Sequence, residues 1–228
     1  MNRIQLSPSM VCSDLSQLGA QVQILDQAGV DMLHWDIMDG VFVRSFCLTP
    51  DVIAACRPFT ELPFDVHMCI TDPEAFIPVV ADASADILSL QFETTPHLFR
   101  AIEKIHQRER KAGIVINPKT PISQVELVLG EIQMVTLMTV DVGFAGQQFI
   151  MPMLDKIRKL REIIDARGYE IDIQVDGQIN FNTFRDVIKA GANVLVVGTS
   201  GLFSVDKDLA TGVGIVRAEI DAIMNNLE

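Results

Sequence analysis

Positive charge is scarce in this chain. Lysine and arginine number 18 against 30 aspartates and glutamates, a formal net charge of −12 over 228 residues. No run of basic residues occurs, and a nucleic-acid binder needs a basic footprint, so that class is excluded. Long hydrophobic runs are missing too. No stretch of 18 apolar residues is present, and no membrane span is expected. The opening segment Met1–Pro8 lacks the apolar core and cleavage site of a secretory signal, so a cytoplasmic location is expected. Cysteine is sparse. Cys12, Cys47, Cys56 and Cys69 form no C-x-x-C pair, which argues against a zinc ribbon and for free thiols in the core or near a site. The glycine-rich turn Gly143-Phe144-Ala145-Gly146 is not G-x-G-x-x-G, and a dinucleotide site has no support.

What is present is ordinary globular composition: 49% hydrophobic and 21% charged residues. The length suits one domain with a sizeable core. Eight short runs rich in Val, Ile, Leu and Met read as buried parallel strands: Ile4–Met10, Met32–Met38, Leu62–Ile70, Asp86–Gln91, Gly113–Asn117, Met134–Val140, Glu170–Val175 and Asn193–Val197. Helical patterns lie between them: Ser13–Ala28, Leu48–Cys56, Pro73–Ala83, Leu98–Lys111, Pro121–Leu129, Met153–Arg167, Phe181–Ala190 and Lys207–Met224. Strict β-then-α alternation, eight times over, predicts one closed (β/α)₈ barrel across residues 1–228. An open doubly wound sheet is the runner-up.

In such a barrel, chemistry sits where strands end. The second strand reads Leu33-His34-Trp35-Asp36-Ile37-Met38-Asp39-Gly40, the third Phe64-Asp65-Val66-His67-Met68-Cys69, the seventh Ile173-Gln174-Val175-Asp176-Gly177. His34 and Asp36 are two apart and share the inner face. An inward carboxylate is costly to bury unless it is paired or binds a metal. His34, Asp36, His67 and Asp176 make a mixed nitrogen and oxygen set that suits one divalent ion, Zn, Fe, Mn or Co, without singling one out. His97 and His106 fall near the fourth helix and are expected in solvent.

Strands 2 and 7 lie nearly across the ring. Asp36 and Asp176 therefore flank a substrate from two sides, as a two-base epimerisation needs. One removes the proton alpha to a carbonyl, the metal holds the ene-diolate, and the other returns a proton to the opposite face. The late turns are rich in small residues: Gly143, Phe144, Ala145 and Gly146, then Gly177 and Gln178, then Gly198, Thr199 and Ser200. Their backbone N–H groups suit a phosphate. The first of these turns also looks like a lid hinged at Gly143 and Gly146. Ser7, ending strand 1, is a substrate contact or a turn cap. Asn117 reads as a turn residue, and Met38 and Met138 as an apolar floor.

At these residues the chain resembles the ribulose-phosphate 3-epimerase family along essentially its whole length. The markers are Leu6-Ser7-Pro8-Ser9, His34 to Gly40, Asp65-Val66-His67, Gly143 to Gln147 and Val175-Asp176-Gly177. Met138 to Asp141 and Val197 to Phe203 look more like the allulose-6-phosphate branch. The resemblance implies a metal on His34, Asp36, His67 and Asp176, with the two aspartates as the acid/base pair. It also implies substrate contact by Ser7 and His67, phosphate against Gly143–Gly146, Gly177, Gln178 and Gly198–Ser200, and a homo-oligomer. A six-carbon ketose 6-phosphate is the expected substrate, ahead of ribulose 5-phosphate. The chain departs from the family pattern at Arg44-Ser45, where Pro-Asn is usual, at Cys69, at Gln91, where His is usual, and at Val142, where Pro is usual. Two other classes are the alternatives. Related decarboxylase barrels carry a lysine where Met38 stands, and a non-catalytic sugar-phosphate binder would bind without exchanging the C3 proton.

Overall fold

The computed structural model describes residues 3–144 and 146–227. Eight strands form one parallel sheet: β1 Gln5–Pro8, β2 Leu33–Met38, β3 Phe64–Cys69, β4 Ile87–Gln91, β5 Lys111–Ile116, β6 Met134–Met138, β7 Asp172–Asp176 and β8 Val194–Val197. Each pairs with its neighbour in chain order from β2 to β8, and β8 pairs with β1. The bridge Ser9 to His34 and the bond from the Asp31 N–H to the Leu6 carbonyl close the ring between β1 and β2. The fold is the (β/α)₈ barrel that the alternation predicts. No helix is long and apolar enough to cross a membrane among the described residues.

Seven α-helices wrap the barrel: α1 Leu18–Gln27, α2 Pro50–Cys56, α3 Pro73–Asp82, α4 Leu98–His106, α5 Met153–Arg167, α6 Phe184–Ala190 and α7 Leu209–Asn225. Local chemistry sets their ends. Asp72 accepts from the Ala75 N–H at 3.3 Å and Pro73 opens α3. Asp208 accepts from the Thr211 N–H at 3.0 Å to start α7. Gly168 ends α5 at φ 65°.

Three helix expectations are corrected. The first helix does not begin at Ser13: Asp14 caps a 3₁₀ turn over Leu15–Gln17, and α1 begins only at Leu18. The fourth helix stops at His106, because Lys111 already belongs to β5. No α-helix forms over Pro121–Leu129; two 3₁₀ turns, Ile122–Gln124 and Leu129–Glu131, take its place. Buried Ile122, Val125 and Val128 recur every third residue, and a 3₁₀ turn stacks i over i+3.

Inside the barrel the side chains change character from floor to mouth. Met32, Ile87, Met134 and Val194, from even-numbered strands and their approaches, form an apolar plug. Above them His34, Asp65, Ser89, Thr136 and Gln174 are fully buried and polar. Gly113 makes room for this layer. A Cβ there would lie 2.5 Å from the Ser89 Oγ, which donates to Asp65 at 2.8 Å.

Candidate active site and metal centre

The four residues singled out as ligands come together at the mouth end of β2, β3 and β7. His34, Asp36, His67 and Asp176 each offer a ligand atom, and these atoms all lie within 4.8 Å of one another. The His34 Nε2 lies 3.3 Å from the Asp36 Oδ1 and 3.8 Å from the Asp176 Oδ2. The His67 Nδ1 lies 3.0 Å from the same Asp36 oxygen. The two imidazole centroids are 6.1 Å apart. All four sit inside the barrel because alternate residues of a strand share a face.

The far nitrogen of each imidazole is held by a residue that strand-end reading missed. The His34 Nδ1 is 2.7 Å from the Asp65 Oδ2. Asp65 also accepts from Ser89 and, at 2.8 Å, from the Gln174 Nε2, and Gln174 in turn accepts from the Thr136 hydroxyl at 2.7 Å. The His67 Nε2 is 2.8 Å from the Gln91 Oε1, and Gln91 donates to Glu93. Ser9 donates to the second Asp36 oxygen at 3.3 Å. With Nδ1–H of His34 donating to Asp65 and Nε2–H of His67 donating to Gln91, the lone pairs of the other two nitrogens face Asp36. The signal for Asp65, Ser89 and Gln174 was period two, read two residues back from His67, Gln91 and Asp176.

The electrostatics are those of a site built around positive charge. Burial pushes the Asp176 carboxyl up, and the neighbouring Asp36 carboxylate adds to this, to about 6. Asp36 is also buried, yet His34 and His67 outweigh the burial and hold it well below the usual range. Burial opposes a charge on His34, and Asp36 and Asp65 outweigh it, so its pKa lies well above the ordinary value. His67 moves the same way, against burial, through Cys69 and Asp36. The His34 Nε2 is buried and has no hydrogen-bond partner. Two facing carboxylates, an orphaned imidazole nitrogen and two imidazoles locked from behind fit a divalent cation. The loss of a residue that orients a ligand typically costs metal affinity about 10–100-fold. Gln91→Leu is expected to lower affinity within that range without unfolding the protein, as metal titration followed by calorimetry would read. Unchanged affinity would show that Gln91 does not orient His67.

The other site residues divide into groups. Ser7 is fully buried on β1 with its Oγ unpaired, and alternation with Ser9 puts it inside the barrel. The turns after β7 and β8 are tied together: Asn180 donates to the Ser200 Oγ at 3.1 Å, and Ser200 donates to Gln178 at 3.5 Å. Gly177 has φ 114°, and a Cβ there would meet the Val140 side chain at 2.5 Å. Gln178 follows at φ 55°, a left-handed conformation uncommon outside glycine. Gly198 and Thr199 sit at the start of a short π-helical turn, Thr199–Phe203. Gly143 and Phe144 lie elsewhere at the mouth, in a cleft of about 650 Å³ with Phe42, Val43, Arg44, Ser45, Asn117, Lys119, Asp141 and Val142. Gly177, Gln178 and Gly198–Ser200 are not among its lining residues. Ala145 is outside the described residues. Met138 packs with Val115 and Val140 near the mouth, while His97 and His106 are exposed and all four cysteines are free.

A parallel barrel with an inward His/Asp cluster and small-residue turns at the same mouth has the parts of a barrel enzyme. Comparison with known proteins narrows it. The profile of the Ribulose-phosphate 3 epimerase family matches residues 5–203, and the chain belongs to that family. Ribulose-phosphate 3-epimerase of Bacillus subtilis (strain 168) is 42% identical over 198 residues, covering 86% of this chain and 91% of that protein. The chloroplastic ribulose-5-phosphate-3-epimerase of Arabidopsis thaliana is 41% identical over 217 residues, covering 94% of this chain and 76% of that protein. Among solved structures, KGPDC from Streptococcus mutans matches with a TM-score of 0.71 at 15% identity, over 97% of this chain and 99% of that one, a likeness of fold alone.

Proposed function

We propose that this chain epimerises C3 of a ketose phosphate, with residues 1–228 acting as one catalytic barrel. The observation that carries the reading is the pair of carboxylates, Asp36 buried and Asp176 half-buried, placed around His34 and split in proton affinity. A divalent ion on His34, Asp36, His67 and Asp176 would polarise the C2 carbonyl and offset the charge of the ene-diolate. Asp36, held ionised, is suited to take the C3 proton from one face. Asp176, whose carboxyl keeps a proton to about pH 6, is suited to deliver one to the other face. Ser7 and His67 would contact the substrate beside the reacting carbons. Gly177, Gln178, Gly198, Thr199 and Ser200 would bind the phosphate through backbone N–H groups, and the segment Gly143, Phe144, Ala145 and Gly146 would cover it.

The substrate's length is the finer question. The relatives found are named for ribulose phosphate, which favours the pentulose and weighs against the hexulose 6-phosphate that the branch-like turns suggest. An extra hydroxymethylene must find a partner in the site, and an unpaired buried hydroxyl costs about 1–3 kcal/mol. The two phosphates are then expected to differ in kcat/KM by roughly 5- to 150-fold. Deuterium incorporation at C3, followed by NMR with metal-loaded protein, tests activity and preference together. Hydrogen bonds to a charged phosphate are each worth about 1.5–3 kcal/mol. Losing two lowers kcat/KM on the order of a hundredfold or more, so free ribulose is expected to be that much poorer. Equal turnover of the free sugar would remove the phosphate grip, and phosphate binding without exchange at C3 would identify a binding barrel instead. The homo-oligomer and the cytoplasmic location implied above belong to this proposal; light scattering reads the first, and the chloroplastic relative shows that the family is not confined to one compartment.

A further inference from the structure

The cleft beside Gly143 has a composition that the phosphate turns do not explain. Two cations from distant parts of the chain, Arg44 after β2 and Lys119 after β5, line it together with Ser45 and Asn117. The Asp141 carboxylate is the one anionic side chain among its lining residues. A locally positive cleft is unexpected in a chain of net charge −12. Neither Arg44 nor Lys119 forms an ion pair among the described residues; the arginines and lysines in such pairs lie elsewhere. Asn117 supplies an independent sign of a missing ligand. It is 7% exposed, it lines the cleft, and its Oδ1 has no hydrogen-bond partner. Its backbone is fully used, the N–H on Glu93 at 2.9 Å and the carbonyl on Lys156 at 2.9 Å. The side-chain oxygen is buried and unsatisfied, and a ligand hydroxyl or a bound water would complete it.

The barrel order places this cleft relative to the rest of the site. In a ring of eight, β7 and β8 stand opposite β3 and β4, and the turns after β2 and β5 flank that opposite side. The cluster of His34, Asp36, His67 and Asp176 lies between. A sugar with its phosphate on the turns after β7 and β8, and C2 and C3 between the two aspartates, directs its C1 end at Arg44 and Lys119. We propose that Arg44, Ser45, Asn117 and Lys119 form a second anion subsite, and that the chain accepts ketose phosphates bearing a second anionic group at the C1 end. This rests on the epimerase reading above. The chemistry at C3 does not change: the C3–H bond breaks, the carboxylate takes the proton, the electron pair enters the ene-diolate, and a proton returns to C3.

The test compares a ketopentose 5-phosphate with the corresponding 1,5-bisphosphate at low ionic strength, where exposed cations are least screened. Metal-loaded wild type is expected to exchange the C3 proton of both. In Arg44→Ser/Lys119→Ser the ratio of kcat/KM for bisphosphate over monophosphate is expected to fall about tenfold or more, since two charge-assisted contacts are lost. Arg44→Lys/Lys119→Arg is expected to retain most of the ratio. Thermal stabilisation by the bisphosphate, a readout independent of turnover, is expected to shrink in the serine variant. An unchanged ratio with unchanged stabilisation would overturn the subsite. Loss of both substrates by the same factor would also overturn it, because the cleft would then serve the single phosphate. If wild type exchanges neither sugar, the epimerase reading fails by itself, and the difference in stabilisation between wild type and the serine variant still decides the subsite.

Discussion

Asp176→Asn is expected to lower kcat by about 10²–10⁴-fold, the usual worth of a positioned acid or base. A carboxamide neither accepts nor donates the proton at C3, yet its oxygen occupies the same place. Asp36→Asn is expected to do the same for the opposite face. Asp36 also accepts from Ser9 at 3.3 Å and lies 3.0 Å from the His67 Nδ1, so its loss disturbs more of the cluster. Either change also weakens a metal donor, and turnover has to be measured at saturating metal with bound metal quantified alongside. The two variants become distinguishable in deuterium oxide. A variant that lacks only one of two bases can wash the C3 proton of one epimer out while failing to convert it to the other. Near-wild-type epimerisation by either variant would remove the two-base assignment.

The second large effect is on metal content. Wild type is expected to hold one divalent ion per chain, and His67→Ala to hold none after dialysis, as elemental analysis would read. The loss should exceed the about 10–100-fold that a supporting residue costs. His67 is a better choice than His34. Removing His34 leaves Asp65, fully buried and bonded to it at 2.7 Å, without its partner, and breaking such a pair costs about 3–5 kcal/mol of stability. Acid should mimic the mutation. Asp176 in the metal-free protein holds a proton up to about pH 6, above its value in an unfolded chain. The proton therefore stabilises the metal-free fold at low pH, and that contribution fades as pH rises through about 6. A metal must displace it. Apparent metal affinity is expected to fall at least about tenfold per pH unit below pH 6, and more steeply where the raised imidazoles must lose protons as well. Metal affinity that does not change between pH 5 and pH 7, at a fixed buffer and ionic strength, would place the ion elsewhere.

The His/Asp cluster was legible because a strand has period two and histidine is rare, with 4 in the chain. His34 and Asp36 announce a common face, and a buried carboxylate demands an explanation wherever it falls. The same period also carried Asp65, Ser89 and Gln174, but hydroxyls and amides at mid-strand read as ordinary barrel filling until the distances join them. Gln91 stood out in the sequence only as a departure from the family pattern; its contact with His67 needed three dimensions. The strands were legible as apolar runs with frayed ends. The segment Pro121–Leu129 was not, since apolar residues at i, i+3 and i+6 satisfy an α-helix nearly as well as a 3₁₀ turn over so short a span. The pairing of Arg44 with Lys119 is invisible locally, because each is a lone cation in its own turn and only barrel closure brings both to one cleft.

Closure itself depends on contacts far apart in the chain. Arg217, on α7, donates to the Ile4 carbonyl at 3.0 Å, to the Gly29 carbonyl at 3.2 Å and to the Asp31 carboxylate. Asp31 in turn accepts from the Leu6 N–H at 2.7 Å. The seam between β1 and β2 is thus fastened by a residue from the last helix. A ribosome has to release the chain through Arg217 before that fastening exists. Until then the unpaired edges of β1 and β2 stay open to solvent and to other nascent chains. The His/Asp cluster straddles this seam through Ser9, His34 and Asp36, so it takes its final shape only once Arg217 has emerged.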